Sequence, residues 1–343
     1  MKQFREHEPP KKEVRIMEIR ILSFEEIDAL GISVTEVMDV VEKGFRLKGE
    51  GKVELPAKIG IHPRKDCFIH AMPCFVGADA DVAGIKWVSG YPPNQAKGLP
   101  YINGIMCLNE AETGIVKSIM DANWITAWRT GAATGVCARH MADPDAGTLA
   151  VIGLGVQGRT NTVALAKALP GLRVVKAYDV YTQQLGKYKS LIEKDLPGIN
   201  VLPCRSVQEA VDGADVVVTC TPIVADPERF VKSEWLKRDC LAIAVDYDSA
   251  FDAEVMSKAE AFVCDDKNQY LWTQEQGAYF QKGYPGEEDI LGDMGDLCAG
   301  RVSSPRKGRR GAVLMGIASH DVLAADLIYR RAVEKGAGRV VQI

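Results

Sequence analysis

Three features of the 343-residue chain predict an α/β protein. A glycine turn, GLGVQG at Gly153–Gly158, stands directly between the apolar strand pattern Thr148–Ile152 and a helical pattern. Strand and helix patterns then alternate as far as Val263, as expected of a parallel sheet with helices on its faces. Ahead of them, Leu55–Asn109 holds short apolar runs broken by Gly and Pro, which read as antiparallel strands and turns. The expected fold is a Rossmann-type dinucleotide-binding domain joined to an α+β domain. At roughly 100–200 residues per domain, the length suits two.

Residues 1–16 are charged and lack the apolar core of a signal peptide, so a mobile tail is expected there. Ser23 followed by Glu25 and Glu26 marks a helix start, and an apolar-periodic stretch carries that helix to about Lys48. The runs AKIGI, CFIHAMP, AGIKWVSG and INGIMCLN supply the antiparallel strands, punctuated by Pro92–Pro93 and by the turn Glu110–Gly114. From Asp121 the pattern is helical to about Met141, where Asp143–Gly147 (DPDAG) ends it. The alternating part comprises strand Thr148–Ile152, helix Gly158–Leu169, strand Arg173–Tyr178, a helix to about Lys194, and strand Asn200–Leu202. Helix Val207–Val211 follows, then strands Asp215–Cys220, Leu241–Val245 and Ala261–Val263. Ser303–Gly311 (SSPRKGRRG) reads as a solvated basic loop. The last element, about Val313–Glu334, is helical. Packed back on the N-terminal part, it makes that domain discontinuous: residues 1–130 with 316–343, around a nucleotide domain of residues 131–315.

Composition excludes several function classes. Basic residues number 42 and acidic residues 46, a net charge of −4 that leaves no electrostatic footprint for nucleic acid. No apolar run approaches the roughly 18 residues needed to cross a bilayer, so no membrane partner is expected. The nine cysteines are scattered, odd in number and form no C-x-x-C pair. They read as small buried hydrophobes in a reducing compartment, so a cytoplasmic location is expected. His62, Asp66, Cys67 and His70 lie close in sequence but lack zinc spacing, and no metal is expected.

The glycine turn carries the cofactor expectation. Gly153 makes the tight turn, Gly155 lets the backbone approach a pyrophosphate, and Gly158 lets helix and strand pack closely. Val156 and Gln157 belong to the same turn, and the diphosphate rests on the positive helix N-terminus. Asp179 closes the next strand, 21 residues after Gly158, near the usual spacing of about 20. Its carboxylate can accept hydrogen bonds from the adenosine ribose and would repel a 2′-phosphate. Val180–Tyr181 offers no arginine to offset that, so NAD(H) is the expected cofactor. Thr219 and Thr221, flanking Cys220 in VVVTCTP, complete the expected cofactor set.

Three residues outside the glycine turn attract attention on physical grounds. Lys86 sits inside the apolar strand pattern AGIKWVSG, so its ammonium must snorkel or meet an anion. Arg129 lies on a helix of small and apolar residues, WITAWRTGAATG, where its fork suits a carboxylate or an ion pair. Asp248, in AIAVDYDSAFDAEV, follows a strand of the nucleotide domain at the carboxyl end, where parallel sheets bind ligands. A carboxylate there can trade a proton with an amine. Asp246 and Asp252 compete for that role on sequence grounds.

Together these segments resemble the ornithine cyclodeaminase/mu-crystallin family. The resemblance runs from about Ile21 through IKWVSGYPPN, GLPYINGIMCLNEAETG, ITAWRTGAATG, GLGVQG, AVDYDSAFDAE and GIASHDVLAAD. It implies a homodimer, with the N-terminal part and final helix forming substrate wall and dimer interface. It also implies amino acid metabolism, places Lys86 and Arg129 on the substrate carboxylate, and makes Asp248, together with Lys86, the expected catalytic pair. The sequence departs from the family pattern at three positions. Lys58 stands where an arginine is usual, keeping the charge and losing the fork. His70 stands where the cyclodeaminase has a glutamate, and Tyr101 where a small threonine is usual. Loss of that glutamate removes an anion suited to a second amine. The expected function is thus an NAD(H)-dependent oxidoreductase acting on an α-amino acid or its imine. A cyclodeaminase-type lyase that recycles NAD is the first alternative, and a non-catalytic crystallin-like binder the second.

Overall fold

The structure, a computed structural model, describes residues 17–343. The tail expected at residues 1–16 lies outside the described residues. Two eight-stranded sheets organise the chain. The first contains β1 (Glu18–Leu22), β2 (Val53–Glu54), β3 (Ile59–Ile61), β4 (Phe68–Val76), β5 (Val82–Gly90), β6 (Ile102–Glu110), β7 (Val116–Asp121) and, from the chain's end, β16 (Arg339–Gln342). Its order is β16-β1-β7-β6-β5-β4-β2, with β3 also paired to β4. All its pairings are antiparallel except β1 with β7.

The second sheet is parallel throughout. It contains β8 (Thr148–Ile152), β9 (Val174–Tyr178), β10 (Asn200–Pro203), β11 (Val216–Thr219), β12 (Cys240–Ala244), β13 (Ala261–Cys264), β14 (Ile290–Asp293) and β15 (Arg309–Val313). The order β10-β9-β8-β11-β12-β15-β13-β14 reverses direction between β8 and β11, the switch point at which doubly wound sheets bind ligands. Both faces are covered, and the two-residue period divides each strand between two cores. Leu149, Val151, Val216 and Val218 join the larger core, which extends to the first sheet. Ala150, Ile152, Val217 and Ala242 join the second core on the opposite face.

Ten α-helices are present among the described residues: α1 (Phe24–Asp28), α2 (Val34–Gly49), α3 (Ala122–Met141), α4 (Val156–Ala168), α5 (Thr182–Asp195), α6 (Val207–Val211), α7 (Ala253–Ser257), α8 (Lys267–Glu275), α9 (Met294–Cys298) and α10 (Ala318–Lys335). The helix expected from Ser23 to Lys48 is two helices. Gly31 adopts φ +67° between them, and Ser33 with Glu36 forms a second capping box that restarts the helix. Along α2, Val37, Met38, Val41 and Phe45 recur at helical spacing and are buried in the core. Removing each from water contributes about 1.5–3 kcal/mol. The closing helix packs on α2, α3 and strands β4, β5 and β6 of the first sheet.

The C-terminal third corrects two expectations. Ser303–Gly311 is not wholly a solvated loop, because Arg309–Val313 forms β15 between β12 and β13. Arg310 is only 1% exposed there. Its guanidinium reaches Asp239 at 2.6 Å and the Met141 carbonyl at 3.2 Å, so this basic residue is an internal tie. The final helix begins at Ala318 rather than near Val313, which belongs to the strand. No helix of the described residues is long and apolar enough to cross a membrane.

Helices α3 and α4 touch backbone to backbone. A Cβ on Gly131 would lie 2.5 Å from the Thr160 carbonyl oxygen. Gly131→Val is expected to force the helices apart and destabilise the protein by about 1–3 kcal/mol, read as a lowered denaturation midpoint. An unchanged midpoint would contradict this packing.

Candidate active site

The glycine turn has the shape its spacing predicts. Gly153 adopts φ +91°, and a Cβ there would lie 2.6 Å from the Cys220 carbonyl oxygen. A Cβ on Gly158 would strike the Gly153 carbonyl, whereas Gly155 faces open space. Gly155 caps α4 without a side-chain hydrogen bond, leaving the first-turn amides free for an anion. Val156 is exposed, and the Gln157 amide donates to the Thr126 carbonyl at 3.3 Å. Asp179 sits just past β9. One carboxylate oxygen accepts the Leu154 amide and the other the Tyr181 amide, both at 2.8 Å. The acid thereby pins the glycine turn, and each oxygen retains a lone pair for a sugar hydroxyl. This open cradle, bordered by Asp179, fits NAD(H).

Thr219 and Thr221 turn toward one acid. Their hydroxyls donate to Asp246 at 2.6 and 2.5 Å, and the Thr221 amide adds a third bond at 3.0 Å. The expected cofactor residues therefore frame the switch point between β8 and β11, with Asp246 just past β12.

A second cluster of charges is buried between the first sheet, α3 and α10. Lys86 of β5 and Arg129 of α3 converge on Asp321 in the first turn of α10. The Lys86 ammonium and the Arg129 Nε donate to the same oxygen, Asp321 Oδ1, at 2.7 and 2.9 Å. Lys58, in the connection from β2 to β3, donates to the Met315 carbonyl at 2.7 Å and stands 5.2 Å from the Tyr247 ring centroid. Gly316 adopts φ +82°, and any Cβ there would collide with the Arg129 guanidinium. Its amide donates to Asp265 at 2.5 Å.

Burial dominates the protonation of this cluster. It lowers Lys86 to about 7, helped by the Arg129 charge and opposed by Asp321. It lowers Lys58 to about 8 against the pull of Asp265. The Asp265 carboxyl is raised to about 6 by burial, with Lys58 opposing. Burial also works to raise Asp321, but the Arg129 and Lys86 charges outweigh it and hold the acid below its ordinary value. His70 falls to about 3 through burial and the charges of Lys58, His62 and Lys86, so its imidazole is neutral. It stacks on Phe68 with ring centroids 4.2 Å apart. Burial raises Tyr101 to about 12, with smaller contributions from Tyr279 and Tyr247.

The three acids following β12 have different surroundings. Asp252 is partly exposed and 3.4 Å from Lys232. Asp246 is engaged by the two threonines. Asp248 is buried; its Oδ2 accepts Arg229 Nη2 at 2.6 Å and the Phe280 amide at 2.9 Å, and its Oδ1 has no partner. Arg229, Tyr247, Phe280 and Lys282, four non-glycine residues with left-handed φ, gather around Asp248. Such backbone costs of order 1–3 kcal/mol per residue and collects at functional sites. Lys58, Lys86, Arg129 and His70 thus share one neighbourhood. Asp248 forms no hydrogen bond or ion pair with the three cations; its chain neighbour Tyr247 is the residue whose ring centroid stands 5.2 Å from the Lys58 ammonium.

Sequence reasoning missed Asp321 and Asp265. An acid in the first turn of a helix reads as a complement to the helix dipole, which hides its second role. Elsewhere, Glu42, His140 and Cys298 place potential metal ligands within 4.8 Å of one another. Arg139 already pairs with Glu42 at 2.6 Å, and His140 lies 3.0 Å from the same carboxylate, so an ion-pair network accounts for the group.

The profile of the ornithine cyclodeaminase/mu-crystallin family matches residues 17–336. The alanine dehydrogenase of Archaeoglobus fulgidus is 33% identical over 332 residues, covering 95% of this chain and 99% of that protein. The structure of an archaeal alanine dehydrogenase dimer with bound NAD is similar at a TM-score of 0.83 and 32% identity, covering 95% of this chain and 99% of the other. The Thermococcus litoralis Δ1-pyrroline-2-carboxylate reductase, in complex with NADH and L-proline, has a TM-score of 0.84 and 28% identity, covering 94% and 99%.

Asp179→Ala removes both the clamp on the Leu154 amide and the ribose acceptor. NAD affinity, measured by fluorescence titration, is expected to fall about tenfold or more, or ~1.4 kcal/mol. Unchanged affinity would undo the assignment of this acid.

Proposed function

The chain belongs to the ornithine cyclodeaminase/mu-crystallin family, and we propose that it is an NAD(H)-dependent oxidoreductase interconverting an α-amino acid and its imine. The observation that carries this reading is the charge of the buried cluster. Lys58, Lys86 and Arg129 face Asp265 and Asp321, and with both lysines protonated three cations against two carboxylates leave one positive charge. That matches one substrate carboxylate. NAD(H), resting on the Gly153–Gly158 turn and Asp179, supplies the hydride acceptor or donor. Arg129, Lys86 and Lys58 hold the carboxylate and so orient Cα, a positioning effect. Asp248, through its unpartnered Oδ1, takes a proton from the substrate ammonium or returns one to the imine nitrogen. Burial of the cations excludes water and strengthens each contact. The site offers no anion for a distal amine at His70, which is neutral, and this weighs against a cyclodeaminase. Tyr101, a neighbour of Tyr247 and Tyr279, is assigned to the substrate side chain in this reading.

The same reading divides the chain into a substrate and dimerisation domain, residues 1–130 and 316–343, and a nucleotide domain, residues 131–315. The membership of the two sheets supports that division. A homodimer is supported by the outer face of the first sheet. Ile59, Ala71, Trp87 and Ile105 are cross-strand neighbours on β3, β4, β5 and β6. Ile59 is 60% exposed, and Trp87 and Ile105 are each 47% exposed, an apolar row that a monomer would leave in water. All nine cysteines are free, in keeping with a cytoplasmic location.

Lys86→Met is expected to raise KM for the amino acid tenfold or more, and Asp248→Asn to lower kcat by about 10²–10⁴ with NAD affinity retained. Asp246→Asn should instead act first on NAD affinity. Normal turnover by Asp248→Asn would remove that acid from the chemistry. The profile of kcat/KM against pH should fall on the alkaline side as Lys86 and Lys58, at about 7 and 8, lose their protons and the clamp loses charge. A profile flat from pH 6 to 9 would contradict the clamp. Trp87→Asp places a charge in the apolar row and is expected to convert dimer to monomer by light scattering; a parent protein that is already monomeric would refute the interface.

A further inference from the structure

The closing helix contributes an acid that the proposed chemistry uses only as a counter-charge. Asp321 is fully buried in the first turn of α10. Its Oδ1 receives both the Lys86 ammonium and the Arg129 Nε, while its Oδ2 is buried with no partner. Strand β5, helix α3 and helix α10 therefore meet at one oxygen atom, across 235 residues of chain for Lys86 and 192 for Arg129. We propose that Asp321 is the positioning residue of the carboxylate clamp, fixing the Lys86 ammonium and the Arg129 fork in the orientation that receives the substrate. This inference rests on the clamp described under the proposed function.

Geometry explains the Arg129 part. Asp321 takes the Nε edge of the guanidinium and sets the plane of the fork. The opposite, Nη-bearing part lies against Gly316, where a side chain would collide with it. The guanidinium is thus held by an acid along one edge and by bare backbone at the other. The Nη atoms form no ion pair or hydrogen bond with a side chain among the described residues, leaving their donors for a ligand carboxylate.

Charge explains the Lys86 part. A buried ammonium beside a guanidinium is pushed toward neutrality by desolvation and by like charge. Other titratable groups surround the pair: Lys58 from the β2–β3 connection, His70 and Cys74 from β4, and His320 from α10 itself. Both imidazoles fall to about 3 and are neutral, chiefly through burial. Burial raises the Cys74 thiol to about 12, so it too is neutral. Asp265 acts on Lys58. Asp321 is consequently the anion that faces Lys86. The N-terminal turn of α10 also favours a carboxylate there through the helix dipole.

The test compares the unsubstituted full-length protein with Asp321→Asn, which keeps size and removes charge. Lysine labelled with carbon-13 at Cε reports the Lys86 titration without any substrate, its signal assigned by loss in Lys86→Met. Asp321→Asn is expected to move the Lys86 midpoint toward acid by more than one pH unit. With NAD and L-alanine as probe substrate, KM should rise at least tenfold and the alkaline limb of kcat/KM should shift the same way. NAD affinity should stay within twofold. An unmoved Lys86 midpoint overturns the proposal, as does a KM that rises only in step with lost NAD affinity, the mark of a merely structural defect. If Lys86→Met leaves KM unchanged, the clamp itself fails. If Lys86→Met raises KM and Asp321→Asn does not, only the positioning role fails. Should L-alanine give no turnover, the Lys86 titration decides alone.

Discussion

Buried cations need anions, and three of them lie in one neighbourhood here. Lys86, Arg129 and Lys58 are removed from water at a cost that no hydrophobic contact can offset. Asp321 and Asp265 meet part of that demand. In the proposed reading the remaining positive charge is met by the substrate carboxylate. Much else follows from this constraint. Helix α3 carries glycines where it meets α4, at Gly131 and Gly135, and extends Arg129 to Asp321 of α10. Gly316 must lack a side chain so that the guanidinium has room.

The segment from Met315 to Gly316 joins the two halves of the site. It leaves the parallel sheet at β15 and enters α10, which packs on the first sheet. Its carbonyl at Met315 receives Lys58, and its amide at Gly316 is held by Asp265 just past β13. The Gln269 side chain of α8 donates to the Gly316 carbonyl at 3.3 Å. The cofactor sheet and the cation cluster are thereby fixed to the same few backbone atoms.

Local signals carried much of this into the sequence. The glycine turn needs only six adjacent residues, and its three glycines have the environments their spacing implies. Lys86 and Arg129 were conspicuous because each is a charge in an apolar run. Asp321 was not, because an acid in a first helical turn has an ordinary explanation and its partners are hundreds of residues away. The strand Arg309–Val313 was hidden by composition. Its RRG start reads as solvent-exposed until Asp239 and the Met141 carbonyl are brought to Arg310 by folding. The break at Gly31 was hidden for a different reason: Ser33 and Glu36 restart the helix within a few residues and preserve its apparent period.

The most direct test of the central claim follows two signals at once, NADH absorbance and ammonia release, while the unsubstituted protein is offered NAD and a panel of monocarboxylic α-amino acids that includes L-alanine, L-proline and L-ornithine. A clamp with one net positive charge and no anion for a second amine predicts net NADH formation with a substrate carrying a single amino group, with ammonia in equal amount whenever that amine is primary. Ammonia released from L-ornithine with no net change in NADH would contradict the account and make the protein a cyclodeaminase.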